Sequence, residues 1–269
     1  MKKNTFKIGK LYAGKEFFLI AGVCAIESEN QVLKTASFLK KICKYYRIPL
    51  IFKASFDKAN RLSINSYRGP GIKKGLEIIK KVKEKLGIPV LTDIHCTQHI
   101  DRVKSVVDII QIPAFLSRQT DLVVEAAKTN LPVNIKKGQF LSPYDMKFIA
   151  EKAFSAGNKK VMLTERGTSF GYGNLVVDFR SFDIMKETGC VIVFDATHSL
   201  QKPGAGGGKT TGEKKFALSL IKAALAVGVD AIYMEVHPKP QVAKSDRGSV
   251  LSFKEFEKIL KVISYEKKT

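Results

Sequence analysis

The sequence contains no apolar run approaching the roughly 18–20 residues that a membrane-spanning helix requires. Residues 1–8 contain neither an apolar signal core nor a small-residue cleavage site, so we expect a cytoplasmic protein with no membrane partner. There are only four cysteines, and none of them forms a CxxC pair. In a chain of 269 residues this pattern argues against a fold built on disulfides.

Acidic residues are also few, since 25 Asp and Glu stand against 46 Lys and Arg, which gives a formal net charge of +21. A charge of this size is compatible with nucleic-acid binding. The excess lysines, however, are spread along helix faces, as in residues 73–85, and we find no helix-turn-helix, RNP-type or zinc-finger pattern. We therefore attribute the charge to a lysine-rich surface and expect no nucleic-acid partner.

The sequence does contain a regular alternation of short apolar runs and amphipathic helix patterns. The apolar runs are continuous, which is typical of parallel strands buried on both faces. Eight such units in about 250 residues predict an α/β fold, a (β/α)8 barrel, as one domain over residues 1–269. We interpret the short N-terminal extension as a hairpin. The alternative is an open doubly wound sheet, but residues 22–25 lack the Gly-rich dinucleotide turn.

The apolar and amphipathic runs also predict where the elements lie. The last helix should begin near Ser252, whose hydroxyl can cap it, with Glu255 at the spacing of a capping box. The predicted strands are residues 17–23, 49–52, 88–92, 109–112, 133–135, 160–163, 191–194 and 231–234. The helices before the last one are predicted at residues 29–47, 71–86, 98–106, 121–129, 143–156, 181–188 and 216–227.

Polar residues concentrate where the predicted strands end, and in a barrel of this type that face carries the active site. The densest stretch is residues 51–61, which turns from apolar to donor-rich within a few positions. Several cations at one mouth suit a ligand with several anionic oxygens, such as a phosphorylated acid. The strand-end cations are Lys53, Lys58, Lys136 and Arg166.

A second set of strand-end residues has the character of metal ligands. It follows the first, seventh and eighth strands, which are neighbours in a closed barrel. A thiolate, an imidazole and two carboxylates suit one divalent transition metal ion, such as Zn²⁺, Fe²⁺ or Mn²⁺. The set is Cys24, His198, Glu235 and Asp246. The competing histidine ligands are His95, His99 and His237.

Several motifs resemble those of the 3-deoxy-D-manno-octulosonate 8-phosphate synthases. The resemblance runs from about residue 17 to residue 262. It rests on Lys-Ala-Ser-Phe-Asp-Lys-Ala-Asn-Arg at 53–61, Ser-Tyr-Arg-Gly-Pro-Gly at 66–71, Gln-Ile-Pro-Ala-Phe-Leu at 111–116, Arg-Gln-Thr-Asp-Leu at 118–122, Lys-Lys-Gly-Gln-Phe at 136–140, Phe-Gly-Tyr at 170–172 with Asn-Leu-Val-Val-Asp at 174–178, and Phe-Asp-Ala-Thr-His at 194–198.

The resemblance implies a (β/α)8 barrel, usually a homotetramer, that condenses phosphoenolpyruvate with D-arabinose 5-phosphate. The product would feed the inner core of lipopolysaccharide. The family has a metal-independent class with Asn at the position of Cys24 and a metal-dependent class with Cys. This sequence therefore resembles the metal-dependent class, with one divalent metal ion as cofactor.

The resemblance also implies roles for individual residues. Asp93 and His95 would lie near the reacting centre. The phosphoenolpyruvate site would consist of Lys53, Ser55, Lys58, Gln111, Lys136 and Arg166, with the backbone of Ala114 near its phosphate. The pentose phosphate would be held by Asn60 and Arg61, and by Arg118 of a neighbouring subunit. The metal would be held by Cys24, His198, Glu235 and Asp246.

The sequence departs from the family pattern at several positions. Leu62 replaces a Ser that helps to hold the pentose phosphate, so we expect weaker binding of that substrate. Asn65 replaces a His, and Val23 replaces a Pro. After the Gly-rich loop at 203–208, Lys209 and residues 213–215 also differ from the family pattern. We interpret this loop as a mobile lid, because five glycines fall within residues 204–212.

Three alternative functions remain open at this point. The first is the related synthase that uses erythrose 4-phosphate, although the segments at 59–61 and 170–172 favour the pentose enzyme. The second is a basic, non-catalytic barrel that binds nucleic acid. The third is a degenerate barrel kept for assembly, against which the intact Lys58, Lys136 and Arg166 argue.

Overall fold

The structure is a computed structural model that describes residues 2–170, 172–203 and 211–266. Its centre is a closed barrel of eight parallel strands, which confirms the predicted (β/α)8 fold. The strands follow one another around the barrel in chain order, and β8 pairs with β1 to close it. They are β1 (Phe18–Val23), β2 (Leu50–Ala54), β3 (Val90–Asp93), β4 (Ile109–Ile112), β5 (Val133–Lys136), β6 (Val161–Glu165), β7 (Val191–Asp195) and β8 (Ala231–Glu235).

Helices lie between the strands and cover the outside of the barrel. The predicted capping box at the last helix is confirmed, because the Glu255 backbone N–H donates to the Ser252 hydroxyl and the Ser252 backbone N–H donates to the Glu255 carboxylate. The helices are α1 (Glu29–Tyr45), α2 (Ile72–Leu86), α3 (Ile100–Lys104), α4 (Thr120–Lys128), α5 (Met146–Ser155), α6 (Arg180–Lys186), α7 (Ala217–Val227) and α8 (Phe253–Glu266).

Alternation along each strand divides the core into two parts. Leu19 and Ala21 of β1 face the helices, whereas Phe18 and Ile20 fill the barrel interior. The N-terminal extension is the predicted hairpin, with Phe6–Ile8 paired antiparallel to Leu11–Ala13. Its apolar side chains pack with Phe18 into the interior cluster, so the hairpin closes the barrel at the N-terminal ends of the strands. The opposite end, where the polar residues lie, stays open.

Two short antiparallel insertions at the open end were not predicted. Thr168–Ser169 pairs with Leu175–Val176 after β6, and Gln201–Lys202 pairs with Thr211–Gly212 after β7. Most of the predicted lid, residues 204–210 between the latter two strands in the sequence, lies outside the described residues. No helix in the described ranges is both long enough and apolar enough to cross a bilayer.

Candidate active site

A cavity of about 1240 Å³ opens at the C-terminal ends of the barrel strands. The strand ends therefore bring together residues that are far apart in the sequence, as the parallel topology predicts. Most of the predicted site residues line this cavity. They are Lys53, Lys58, Asn60, Arg61, Asp93, His95, Gln111, Ala114, Lys136, Arg166, His198 and Asp246.

The cationic residues surround the cavity, and two of them have donors without a partner. Within the described part of the chain, Nη2 of Arg61 and Nη1 of Arg166 are buried and make no hydrogen bond. The other terminal nitrogen of Arg166, Nη2, donates to Gln201 at 2.7 Å, which fixes the guanidinium. Buried donors are normally satisfied, so these two are placed to bind an anionic ligand.

Lys53 and Lys58 approach the same carboxylate. Lys53 is 1% exposed and donates to Oε1 of Glu235 at 2.9 Å, while Lys58 lies 3.8 Å from the same oxygen. Burial disfavours the charged form of Lys58, but the neighbouring carboxylates of Glu235 and Asp93 raise its pKa above the usual value. Lys58 therefore stays cationic throughout the physiological range.

Asp93 anchors a hydrogen-bonded layer at the base of the cavity. It accepts hydrogen bonds from the Ser55 hydroxyl and the Gln111 amide. Asn134 donates to Gln111 at 2.8 Å, and Thr164 donates to Asn134 at 2.6 Å, which extends the layer across four strands. Burial disfavours the Asp93 carboxylate, but Lys53 and Lys58 hold its pKa below the usual range. Ser55 thus lies behind the cavity wall rather than on it.

Asp195 fixes the orientation of His198. Its carboxylate lies 2.7 Å from Nδ1 of His198 and also accepts from Lys136. Because a carboxylate can only accept, Nδ1 carries a hydrogen, and Nε2 points the other way. Burial opposes ionisation of Asp195, but His198 and Lys136 hold its pKa well below the usual range. Burial also lowers the pKa of Lys136, against the opposing effect of Asp195.

The four predicted metal ligands do converge. Their ligand atoms all lie within 4.8 Å of one another. Nε2 of His198 is 3.4 Å from Oε2 of Glu235 and 3.8 Å from Oδ2 of Asp246, which in turn is 3.0 Å from Sγ of Cys24. Oε2 of Glu235 is buried without a hydrogen-bond partner in the described residues. Several electron-rich atoms facing one another around an unpaired carboxylate oxygen fit a cation.

The charges around the thiol agree with that arrangement. Burial raises the pKa of Cys24 well above its usual value, and the nearby Asp246 and Glu235 add to the effect. Without a cation the thiol therefore stays protonated, and a bound divalent ion would favour the thiolate that can ligate it. Asp246 adopts a φ of 49°, a left-handed conformation that Asp tolerates better than most residues. The residues present therefore fit a divalent metal ion.

The competing histidines lie outside this cluster. His237 accepts from the Lys239 backbone N–H at 3.0 Å, and its Nε2 is 3.6 Å from Glu27. His95 and His99 pack edge-on against Phe56. Nδ1 of His95 is buried without a partner among the described residues, in a side chain that lines the cavity. Burial lowers the pKa of His95, so its imidazole is neutral at pH 7.

Arg118 lies outside the cavity of its own chain. It is exposed and does not line the cavity, and its backbone carbonyl accepts from Lys152.

Tyr233 is a site residue that the sequence analysis did not single out. It lies in the predicted apolar strand 231–234, is 0% exposed and donates to Oε1 of Glu235 at 3.0 Å. The period of two along a strand places Tyr233 and Glu235 on the same side, which is the signal that could have found it.

Comparisons with known proteins agree with this geometry. The sequence model described as the DAHP synthetase I family matches residues 2–269. The chain belongs to this family.

Among its relatives, a 2-dehydro-3-deoxyphosphooctonate aldolase of Francisella tularensis subsp. holarctica is 51% identical over 268 residues, which cover 98% of this chain and 96% of that protein. A protein with the same name from Legionella pneumophila (strain Corby) is 55% identical over 232 residues, covering 86% of this chain and 85% of that protein. Within the DAHP synthetase I family, the chain therefore groups with the 2-dehydro-3-deoxyphosphooctonate aldolases, the synthases that its motifs resemble.

Proposed function

We propose that this chain condenses phosphoenolpyruvate with D-arabinose 5-phosphate and water, giving 3-deoxy-D-manno-octulosonate 8-phosphate and inorganic phosphate. It thereby acts as a transferase in the synthesis of the lipopolysaccharide inner core. The observation that carries the proposal is the convergence of Lys53, Lys58, Lys136 and Arg166 on one cavity beside the cluster of Cys24, His198, Glu235 and Asp246. The names of the relatives support it.

Phosphoenolpyruvate carries a carboxylate and a phosphate on a three-carbon enol. Several fixed cations are therefore needed to offset its charge in a cavity with buried walls. Lys53, Lys58, Lys136 and Arg166 supply them, and Nη1 of Arg166 is a donor with no partner among the described residues. Gln111 and the Ala114 backbone border the same space. The Asp93 layer lies beneath Lys53, whose Nζ is 3.8 Å from Oδ2 of Asp93.

The pentose phosphate would lie toward the rim, on the loop after β2. Asn60 and Arg61 line the cavity there, and the buried Nη2 of Arg61 has no partner in the described residues. The Nε of Arg61 donates to the Tyr67 carbonyl at 3.2 Å, which aims the guanidinium inward. A phosphate group is the kind of acceptor that such a donor binds well.

In the reaction, C3 of the enol forms a bond to the aldehyde carbon, a proton reaches the aldehyde oxygen, water adds at C2, and the bond from C2 to the phosphate oxygen breaks. Holding both phosphorylated substrates in one orientation accounts for much of the acceleration. His95, neutral and unpaired at Nδ1, can exchange a proton with a substrate oxygen in the cavity. Asp93 keeps the neighbouring cations in place.

We assign Cys24, His198, Glu235 and Asp246 as the ligands of one divalent ion such as Zn²⁺, Fe²⁺ or Mn²⁺. When bound, such an ion would supply Lewis-acid polarisation of a carbonyl oxygen or activation of water. Asp195 acts on this site indirectly, because its contact with Nδ1 keeps Nε2 of His198 turned toward the other ligands.

The proposal also covers assembly and location. We propose a homotetramer in the cytoplasm, in which Arg118 of a neighbouring subunit completes the pentose phosphate site. The exposure of Arg118 outside its own cavity supports that role. Light scattering of the purified protein measures the mass, and a monomer with full activity would contradict the shared site.

The decisive experiment compares sugar phosphates. Release of inorganic phosphate from phosphoenolpyruvate is measured with D-arabinose 5-phosphate and, in parallel, with D-erythrose 4-phosphate. We expect rapid release with the pentose and little with the tetrose. A preference for the tetrose would assign the chain to the related synthase. No release with either sugar, together with salt-sensitive retention of DNA or RNA, would support the non-catalytic alternative instead.

Leu62 gives a test of the pentose phosphate site. It is 76% exposed and lines the cavity rim, where it offers no hydrogen bond to a phosphate. We expect Leu62→Ser to lower the KM for arabinose 5-phosphate by about tenfold, the effect of one hydrogen bond to a charged group. The matched control is Ile64→Ser, which changes an exposed residue of the same loop that does not line the cavity. An unchanged KM in the Leu62 variant would show the expectation to be wrong.

A further inference from the structure

Tyr233 occupies an unusual place for a fully buried tyrosine. It lies on β8, two residues before Glu235, and its ring is inside the barrel directly beneath the open end. Nζ of Lys136 is 3.8 Å from the ring centroid and Nζ of Lys53 is 5.6 Å from it. The His198 ring lies 5.7 Å away. The side chain thus contacts the cationic set and the metal-ligand set at once.

The hydroxyl of Tyr233 has a specific partner. It donates to Oε1 of Glu235 at 3.0 Å, and Lys53 donates to the same oxygen at 2.9 Å. A phenol is protonated at neutral pH, so the hydroxyl is a donor to this carboxylate. Oε1 is therefore fully occupied by two hydrogen bonds from groups that are themselves buried.

The second oxygen of Glu235 is left entirely to the metal-ligand cluster. Oε2 has no hydrogen-bond partner within the described residues and lies 3.4 Å from Nε2 of His198. A carboxylate free to rotate could turn either oxygen, or both, toward a bound ion. With Oε1 held by Tyr233 and Lys53, only Oε2 can face Cys24, His198 and Asp246.

We propose that the Tyr233 hydroxyl is a positioning group that fixes Glu235 as a ligand through Oε2 alone. This inference rests on the proposed metal site and deepens it. The hydroxyl does not touch a substrate or the metal; it acts through the carboxylate. Hydrogen bonds of this kind, behind the ligands, orient them, and removing one typically costs about 10–100-fold in metal affinity.

One substitution distinguishes the role of the Tyr233 hydroxyl from the role of its ring. Tyr233→Phe removes the donor but keeps the aromatic face under Lys136 and Lys53, and a phenylalanine has the right size for the barrel interior. We expect the variant to bind Zn²⁺ about 10–100-fold more weakly in competition with a chromophoric chelator. With Co²⁺ we expect altered visible absorption bands, because these bands report the ligand geometry. Binding of phosphoenolpyruvate to the metal-free variant should change less than about twofold, since the cations keep their ring contact.

The control is Tyr45→Phe, which removes a hydroxyl from a side chain that is 76% exposed on α1. It should match the wild type in Zn²⁺ affinity and in the Co²⁺ spectrum. Wild-type affinity and spectrum in Tyr233→Phe would overturn the inference. Equal losses of metal and phosphoenolpyruvate binding would also overturn it, because they would indicate a general packing role.

Measurements on the wild-type protein distinguish a failure of the proposed function from a failure of this inference. If the wild-type protein bound no Zn²⁺ or Co²⁺, the metal site itself would be wrong, and the inference would be overturned with it. If the wild-type protein bound metal but failed to turn over either sugar phosphate, the proposed reaction would fail, yet the affinities of the wild type and Tyr233→Phe would still decide the role of the hydroxyl. If Tyr233→Phe did not fold, site-specific incorporation of 3-fluorotyrosine at residue 233 would test the same hydroxyl. Its more acidic phenol donates a stronger hydrogen bond, so it should shift the Co²⁺ bands, and an unchanged spectrum would overturn the inference.

Discussion

Treatment with EDTA will abolish the release of phosphate that depends on arabinose 5-phosphate, and added Mn²⁺ or Zn²⁺ will restore it. The reason lies in the cluster of Cys24, His198, Glu235 and Asp246, whose ligand atoms lie within 4.8 Å of one another. In the described part of the chain, one carboxylate oxygen of this cluster, Oε2 of Glu235, has no hydrogen-bond partner. Stabilisation of charge at a reacting oxygen is worth on the order of 10²–10³ in kcat. We therefore expect the chelated protein to keep less than about one hundredth of its rate.

Substitution of the thiol tests the same site without a chelator. Cys24→Ala should lower both the bound metal, measured by elemental analysis, and the rate. The matched control is Cys96→Ala, which removes a partly exposed thiol that is not a member of the cluster. Its metal content and rate should equal those of the wild type. Full activity of rigorously metal-free protein would refute the metal dependence and leave Cys24 as a small buried side chain.

The barrel could be predicted from the sequence because its signal is local and repeated. Each strand is an apolar run, and each helix has an apolar stripe, so periodicity alone places them. The strand ends were predicted too short for a physical reason. The apolar run stops where polar residues begin, but the parallel ladder continues through Lys136, Glu165, Asp195 and Glu235. These polar residues remain in the sheet because their side chains find partners at the mouth.

The residue types of the candidate site could also be predicted, but their contacts could not. The sequence places Asp195 and Lys136 on different strands, and only the closed barrel brings them to one hydrogen bond. The same holds for the layer from Asp93 through Gln111 and Asn134. Such contacts depend on how the side chains of different strands meet inside the closed barrel, which the pattern along one strand does not show.

Tyr233 shows the limit most clearly. Because Tyr233 lies in an apolar run, the sequence predicts that its ring is in the core, and the ring is indeed buried. The hydroxyl is a single polar atom on a buried body, and its partner depends on the position of Glu235 two residues further on. Sequence patterns describe which side a residue faces, whereas hydrogen-bond partners of amphipathic side chains require the packed structure.

Lys136→Met will lower kcat by about 10²–10³-fold and raise the KM for phosphoenolpyruvate. The ammonium group of Lys136 lies in the cavity between Asp195, which accepts from it, and the Tyr233 ring. Phosphoenolpyruvate has a carboxylate and a phosphate that need fixed positive charge nearby, and water cannot replace a cation in a site with buried walls. Methionine keeps the length and the apolar contact with the ring but removes the charge.

The fold should survive this change, which makes the measurement interpretable. Without Lys136, Asp195 still accepts from Nδ1 of His198 at 2.7 Å and from the backbone N–H groups of Thr197 and His198 at 3.1 and 2.9 Å. The buried carboxylate is therefore not left unpaired, and thermal unfolding by circular dichroism should show a native transition. The control is Lys159→Met, an exposed lysine just before β6 at the closed end of the barrel. If Lys136→Met folds and keeps more than half of the wild-type kcat, Lys136 is not part of the catalytic site.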